Sequence, residues 1–258
     1  MQIDLNCDMG ESYGNFTIGQ DELLMPLISS ANIACGFHGG DPAIIHKTVR
    51  LAQNSGVAIG AHPSYPDLQG FGRRNMPLDA QEIYDIVLYQ VGAIAAFTKA
   101  AGIKLSHVKP HGALYNRAST DMEAATAIVH AVYYFDRDLV LYCPPNSCMS
   151  MASQQTGLRF VREAFADRTY TADGQLTSRS SPNALIADEN IAAKQALQII
   201  QQKTVLTVEG TVIPLEADTI CIHGDGALAV PIANAIHKLL IENKIRIQSP
   251  DAANGTPQ

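Results

Sequence analysis

The chain has 258 residues, of which 47% are hydrophobic and 17% charged, with a formal net charge of −7. That length suits one large domain of the βα-barrel kind or two small ones, and the apolar share can bury a sizeable core. An acidic balance without any block of Lys and Arg argues against a nucleic-acid or anionic-membrane surface. The start, Met1-Gln2-Ile3-Asp4, carries acid where a secretory leader would be basic, and no apolar run reaches membrane-span length. Five cysteines form no CxxC pair, and their odd number leaves at least one thiol unpaired within the chain, so a reducing cytoplasm is the simplest setting.

Short β-type runs alternate with longer helical ones. Strands are predicted at 2–6, 31–35, 58–62, 106–110, 139–142, 159–165 and 219–223. Between them, helices are predicted at 22–29, 43–54, 80–101, 122–135, 146–155, 187–202 and 228–243. In the third of these, Ile83, Ile86, Val87, Val91 and Ile94 recur at helical spacing. Strict alternation implies parallel strands covered by helices. Seven units favour a seven-stranded (β/α) barrel over an open doubly wound sheet, although periodicity alone does not decide closure. The expected organisation is one domain over 1–258. A hairpin insertion falls near 204–215, centred on Val208-Glu209-Gly210-Thr211, and a frayed polar tail near 249–258.

Chemistry-bearing residues follow the strands. The first strand leads into Asn6-Cys7-Asp8-Met9-Gly10-Glu11, and the second into Cys35-Gly36-Phe37-His38. The third gives His62 and then Gly72-Arg73-Arg74, and the fourth His107-Val108-Lys109-Pro110-His111. The sixth runs into Glu163-Ala164-Phe165-Ala166-Asp167-Arg168, and the last into His223-Gly224-Asp225. In parallel βα folds the carboxyl ends of the strands form one rim, where distant residues converge. Alternation puts Asp4, Asn6 and Asp8 on one face, opposite Ile3, Leu5 and Cys7; His107, Lys109 and His111 likewise fall together, as do Cys221, His223 and Asp225. The polar faces suit the barrel interior and the apolar faces the outer helices. By contrast, His46, His130 and His237 lie in helical runs and read as surface or packing residues. Asp41-Pro42 and Asp79 read as helix caps.

No nucleophile elbow, GxxxxGK[ST] loop or GxGxxG after a strand is present. What remains is acid–base chemistry on a small polar molecule, with or without a metal. Asp with two or three His would suffice for a divalent ion, yet no HExxH motif occurs, so the metal signal is weak and a bound metal stays open.

Across nearly the whole chain these motifs resemble the LamB/YcsF family of lactam utilisation proteins. The segments that carry the likeness are 4–11, 32–38, 60–67, 70–74, 108–115, 163–168 and 218–225. The chain departs from the family pattern at Gly39, where Ala is common, at Asn183, and at Gly226-Ala227-Leu228 after Asp225. The resemblance implies a barrel related to the polysaccharide deacetylases. It also implies ATP-dependent opening of 5-oxo-L-proline to L-glutamate together with two partner subunits, B and C, with ATP and Mg²⁺ used alongside the partners. On that basis Asp8 or Glu11 is the expected base, with His38, His62 and His111 carrying protons and Asp225 beside them. Lys109 and Arg74 would steady an oxyanion or phosphate. Asn6, Glu163, Arg168, Arg179 and His223 would hold substrate. Two alternatives stand beside it: a metal-dependent deacetylase or amidohydrolase built on Asp8, His38 and His62, and a lactam-binding subunit without catalysis.

Overall fold

The alternating strands close into a ring. The computed structural model describes residues 1–250; the expected tail lies outside the described residues from 251 onward. Six parallel strands come first: β1 (Gln2–Met9), β2 (Ser30–Ala34), β3 (Ala58–His62), β4 (His107–Val108), β5 (Val140–Cys143) and β6 (Phe160–Phe165). An antiparallel hairpin follows, β7 (Thr204–Leu206) with β8 (Val212–Pro214). Then β9 (Thr219–Ile222) pairs in parallel with both β6 and β1 and completes a seven-stranded barrel. The open sheet is thereby ruled out. A two-residue strand, β10 (Arg246–Ile247), pairs with the start of β1.

The helices are α1 (Asp21–Leu24), α2 (Pro42–Ser55), α3 (Ala80–Ala100), α4 (Gly112–Thr120), α5 (Met122–Phe135), α6 (Cys148–Thr156), α7 (Glu189–Gln202) and α8 (Ala229–Glu242). Among the described residues, none is long and apolar enough to cross a membrane. Local chemistry sets their ends. The Asp41 carboxylate accepts from the Ala43 and Ile44 amides, with Pro42 in the first turn of α2. Asp79 and Glu82 form a reciprocal capping box on α3.

Two expectations change. The helix predicted at 22–29 is a single turn, α1, followed by a 3-10 turn at Met25–Leu27, because Pro26 has no amide hydrogen to continue it. The strand predicted at 106–110 has only two ladder residues. Its chain still follows β3 to the rim, since the Lys109 amide donates to Ala61 O at 2.9 Å and the His111 amide to Pro63 O at 2.8 Å.

The apolar faces of the strands pack outward against the helices. Leu5 and Cys7 from β1, Val87, Val91 and Ile94 from α3, and Ile128, Val129 and Val132 from α5 are all buried there. Each such side chain contributes roughly 1.5–3 kcal/mol, which offsets a polar barrel interior. In that interior Asp4 accepts hydrogen bonds from Ser29 (2.6 Å), Ser30 (2.7 Å), Thr219 (2.6 Å) and Tyr142 (3.0 Å). One layer up, Asn32 donates to Asn6 (2.8 Å) and Asp8 (2.9 Å), and His107 Nε2 donates to Asn32 Oδ1 at 2.8 Å. The His107 ring occupies space that a β-carbon on Gly60 would fill, so the barrel needs glycine there.

Candidate functional site

Lys109 sits on the barrel axis because its strand alternates His107, Lys109 and His111 inward. Its ammonium, almost wholly buried, donates to Asp8 Oδ1 (2.8 Å) and contacts Glu163 Oε1 (3.0 Å) and Cys221 Sγ (2.9 Å). It also lies 5.3 Å from the centre of the Phe165 ring. Burial disfavours that charge, but Asp8, Cys221 and Glu163 outweigh it and hold the Lys109 pKa well above the usual lysine range. Burial likewise opposes ionisation of Asp8, whereas His62 and Lys109 keep its carboxyl well below the usual range. Asn6 donates to Glu163 (3.0 Å) and Thr219 (2.8 Å), and the Tyr115 hydroxyl donates to Glu163 at 2.8 Å. Glu163 is therefore fixed from three sides.

A second group sits beside this charge centre. His38 and His111 stack with ring centroids 3.8 Å apart, and His62 meets both edge-on. Glu11 Oε1 lies 3.3 Å from His38 Nε2 and 3.7 Å from His111 Nδ1, while His62 Nε2 lies 3.4 Å from Asp8 Oδ2. Burial lowers the pKa of both His38 and His111 well below the usual imidazole value. Burial, reinforced by Asp8 and Asp225, raises that of Glu11. The chemistry available here is proton transfer and ligation of a cation. No HExxH motif marks a metal site in the sequence; the fold supplies one donor set from four separate segments instead.

A loop covers the cluster. The Phe71 ring packs edge-on against His38 and His111, and its backbone is left-handed with φ 54°, a strained conformation for a bulky residue. Gly72 follows at φ 64°, where a β-carbon would also meet Ser64 and His111. Arg73 lies 4.8 Å over the Phe71 ring and pairs with Asp225 at 2.5 Å, so Asp225 stands at the mouth. Beyond it opens a cleft of about 870 Å³ lined by Arg73, Glu163, Phe165, Arg168 and Arg179 among others. Arg168 is buried and donates to Ala184 O (3.1 Å) and Thr177 O (2.6 Å), which ties down the outer wall. Burial, with Arg179 close by, pushes its pKa down to about 10.

The fold thus brings Asn6, Asp8, Glu11, His38, His62, Lys109, His111 and Glu163 into one buried assembly, with Asp225, Arg168 and Arg179 around its mouth. His223 stands apart: its Nδ1 contacts Asp167 at 2.9 Å and its ring stacks on Phe165. Despite burial, His223 and Arg168 hold Asp167 below the usual carboxylate value. Arg74 is not brought in. It turns outward to grip Asp67, and its side chain is 64% exposed, because the left-handed backbone at Phe71 and Gly72 sends Arg73 to the rim and Arg74 away from it. Arg73 takes the rim position that the family resemblance led us to expect of Arg74. Phe71, Tyr115, Asn32, Cys221 and Asp167 were also passed over as site residues. Of these only Cys221 carried a usable signal, its inward phase on the last strand.

A closed parallel barrel with titratable groups gathered at the carboxyl ends of its strands defines a (β/α)-barrel protein with a buried acid–base centre. Within that class the chain belongs to the LamB/YcsF family, whose sequence pattern matches residues 3–255. It is 55% identical over 248 residues to a protein of Tolumonas auensis named as the A subunit of 5-oxoprolinase, covering 96% of this chain and 99% of that one. A Bacillus cereus protein of the same name is 52% identical over 249 residues, covering 96% and 98%. The crystal structure of a lactam utilisation protein from Thermus thermophilus superposes with a TM-score of 0.92 at 48% identity, covering 96% and 99%.

Proposed function

We propose that this chain is one subunit of an ATP-dependent 5-oxoprolinase. It opens 5-oxo-L-proline to L-glutamate together with two partner subunits, B and C. The observation that carries the reading is near full-length identity of 52–55% with relatives that bear the name of a 5-oxoprolinase component. The site suits the chemistry. A five-membered lactam is an unreactive amide, so its carbonyl oxygen must be activated before water can open the ring. No phosphate loop occurs in this chain, which leaves ATP, with Mg²⁺, to the partners.

Opening proceeds through an acyl phosphate. The partners transfer the terminal phosphoryl group of ATP to the lactam oxygen. Water adds to the activated carbon, the C–N bond breaks, and the ring nitrogen takes a proton. The resulting acyl phosphate is hydrolysed by a second water to glutamate and phosphate. On this reading the Glu11, His38, His62 and His111 cluster handles those protons, directly or through a water bound to it. Lys109 has three N–H donors, and Asp8, Glu163 and the Cys221 sulfur already engage them. Its task is then to fix the two carboxylates, while Arg73, Arg168 and Arg179 at the cleft suit the phosphoryl and carboxylate groups of the substrate.

The test is glutamate release from 5-oxo-L-proline by the purified chain with and without both partners and ATP. Release that needs all of them is expected; the same turnover with this chain omitted would overturn the proposal. The three-histidine cluster favours a second reading, a metal-dependent amidohydrolase. Glutamate release or amide cleavage by the lone chain without ATP would identify it.

A further inference from the structure

Two histidines face each other in a way that neutral imidazoles cannot satisfy. His62 Nδ1 lies 2.6 Å from Lys109 O, and His111 Nε2 lies 2.9 Å from Phe71 O. A carbonyl oxygen only accepts, so each of these nitrogens carries its ring's hydrogen. The remaining nitrogens, His62 Nε2 and His111 Nδ1, then both present lone pairs, and they stand 2.9 Å apart. Lone pair against lone pair at that distance is repulsive unless a positive centre lies beside both.

A shared proton would need only two partners, but four groups converge. One ligand atom from each of Glu11, His38, His62 and His111 lies within 4.8 Å of the other three, and all four residues are buried. His38 Nδ1 has no hydrogen-bond partner among the described residues, so that nitrogen can carry the ring's hydrogen and leave Nε2, which faces Glu11, free as a ligand. Zinc–nitrogen bonds of 2.0–2.1 Å place tetrahedral ligand atoms about 3.3 Å apart. Three of the six pairs, at 2.9, 3.3 and 3.7 Å, bracket that spacing, and the whole set lies within 4.8 Å.

Charge points the same way. Two buried carboxylates, Asp8 and Glu163, adjoin one buried ammonium, Lys109, and a third, Glu11, lies among the histidines. Fully ionised, three negative charges against one positive leave a deficit of two, which a divalent cation would balance. Outer partners of the kind that orient metal-bound imidazoles are in place as well: the carbonyls of Lys109 and Phe71 hold two of the three rings.

We infer that Glu11, His38, His62 and His111 form a binding site for one divalent transition-metal ion of the zinc type, which imidazole ligands favour. Such an ion would polarise a carbonyl or acidify a bound water. The site rests on ligand geometry and does not depend on 5-oxo-L-proline being the substrate.

The test reads metal alone. The full chain, stripped with chelator, is titrated with Zn²⁺ by calorimetry, and with Co²⁺ as a spectroscopic reporter of coordination. One ion per chain is expected, with the intense visible absorption of four-coordinate Co²⁺ and a rise in Tm. Changes to outer partners alone cost roughly 10–100-fold in metal affinity, so His62→Ala and Glu11→Gln should each weaken binding by about a hundredfold or more. Glu11→Gln preserves shape and carries the test if His62→Ala fails to fold. A wild-type chain that binds no stoichiometric Zn²⁺, as a shared proton would give, overturns the inference. So does equal affinity in a folded variant.

Discussion

Replacing Lys109 with Met tests whether one ammonium holds the centre of the barrel together. At an effective dielectric of 20, its contacts to Asp8 at 2.8 Å and Glu163 at 3.0 Å are each worth about 6 kcal/mol before desolvation is counted. Removing one partner of a buried ion pair typically costs about 3–5 kcal/mol, because the other charge is left unpaired. In a chain of this size that corresponds to a fall in Tm of roughly 6–20 °C. Thermal unfolding at pH 7, followed by circular dichroism, reads it directly. The double variant Asp8→Asn/Lys109→Met should recover part of the loss, since one orphaned carboxylate is gone while Glu163 remains. If Lys109→Met melts within about 2 °C of wild type, the ammonium is not what compensates the two carboxylates, and the reasoning fails.

Other outcomes follow from the same geometry. His107 is buried neutral, with its pKa lowered to about 3 by burial and by Lys109, so between that value and about 6.5 the unfolded chain binds the extra proton. Stability should therefore fall by about 1.4 kcal/mol per unit as pH drops through that window, and His107→Gln should flatten the slope in urea titrations. Asp8→Asn should cut glutamate release by the reconstituted complex by about 10²–10⁴-fold without unfolding the barrel, as measured by turnover and circular dichroism. Arg73→Met should raise KM about ten- to a hundredfold, the worth of one charge-assisted hydrogen bond, with kcat less affected. Gly60→Ala should destabilise the fold, because its methyl would collide with the His107 ring; a Tm equal to wild type would show that the ring can move.

Much of the barrel was legible because period-two alternation is a direct image of an inside and an outside. Asp4, Asn6 and Asp8 on one face could only be a polar axis once Ile3, Leu5 and Cys7 were given to the helices. Loops carry no such period. Nothing in Gly72-Arg73-Arg74 says which arginine turns inward; that follows from the left-handed backbone at Phe71 and Gly72. The histidine set was hidden for a different reason. Its members sit after three different strands, and only barrel closure brings them together. The helix α4 escaped notice because nine residues rich in Ala, Ser and Thr show too few turns for periodicity to register.

The pairing of β1 with β9 joins segments more than two hundred residues apart, and Thr219 donates to Asp4 across that seam. Contacts of such long sequence separation carry a large loop-closure entropy and form late. Lys109 meets its partners from β1, β6 and β9 only when the seam is shut. A nascent chain still lacking its last hundred or so residues thus holds the histidines but not Glu163 or Cys221. Competence of the centre is therefore all or none, and loss of the β9 segment by proteolysis would abolish it without touching a single histidine of the cluster.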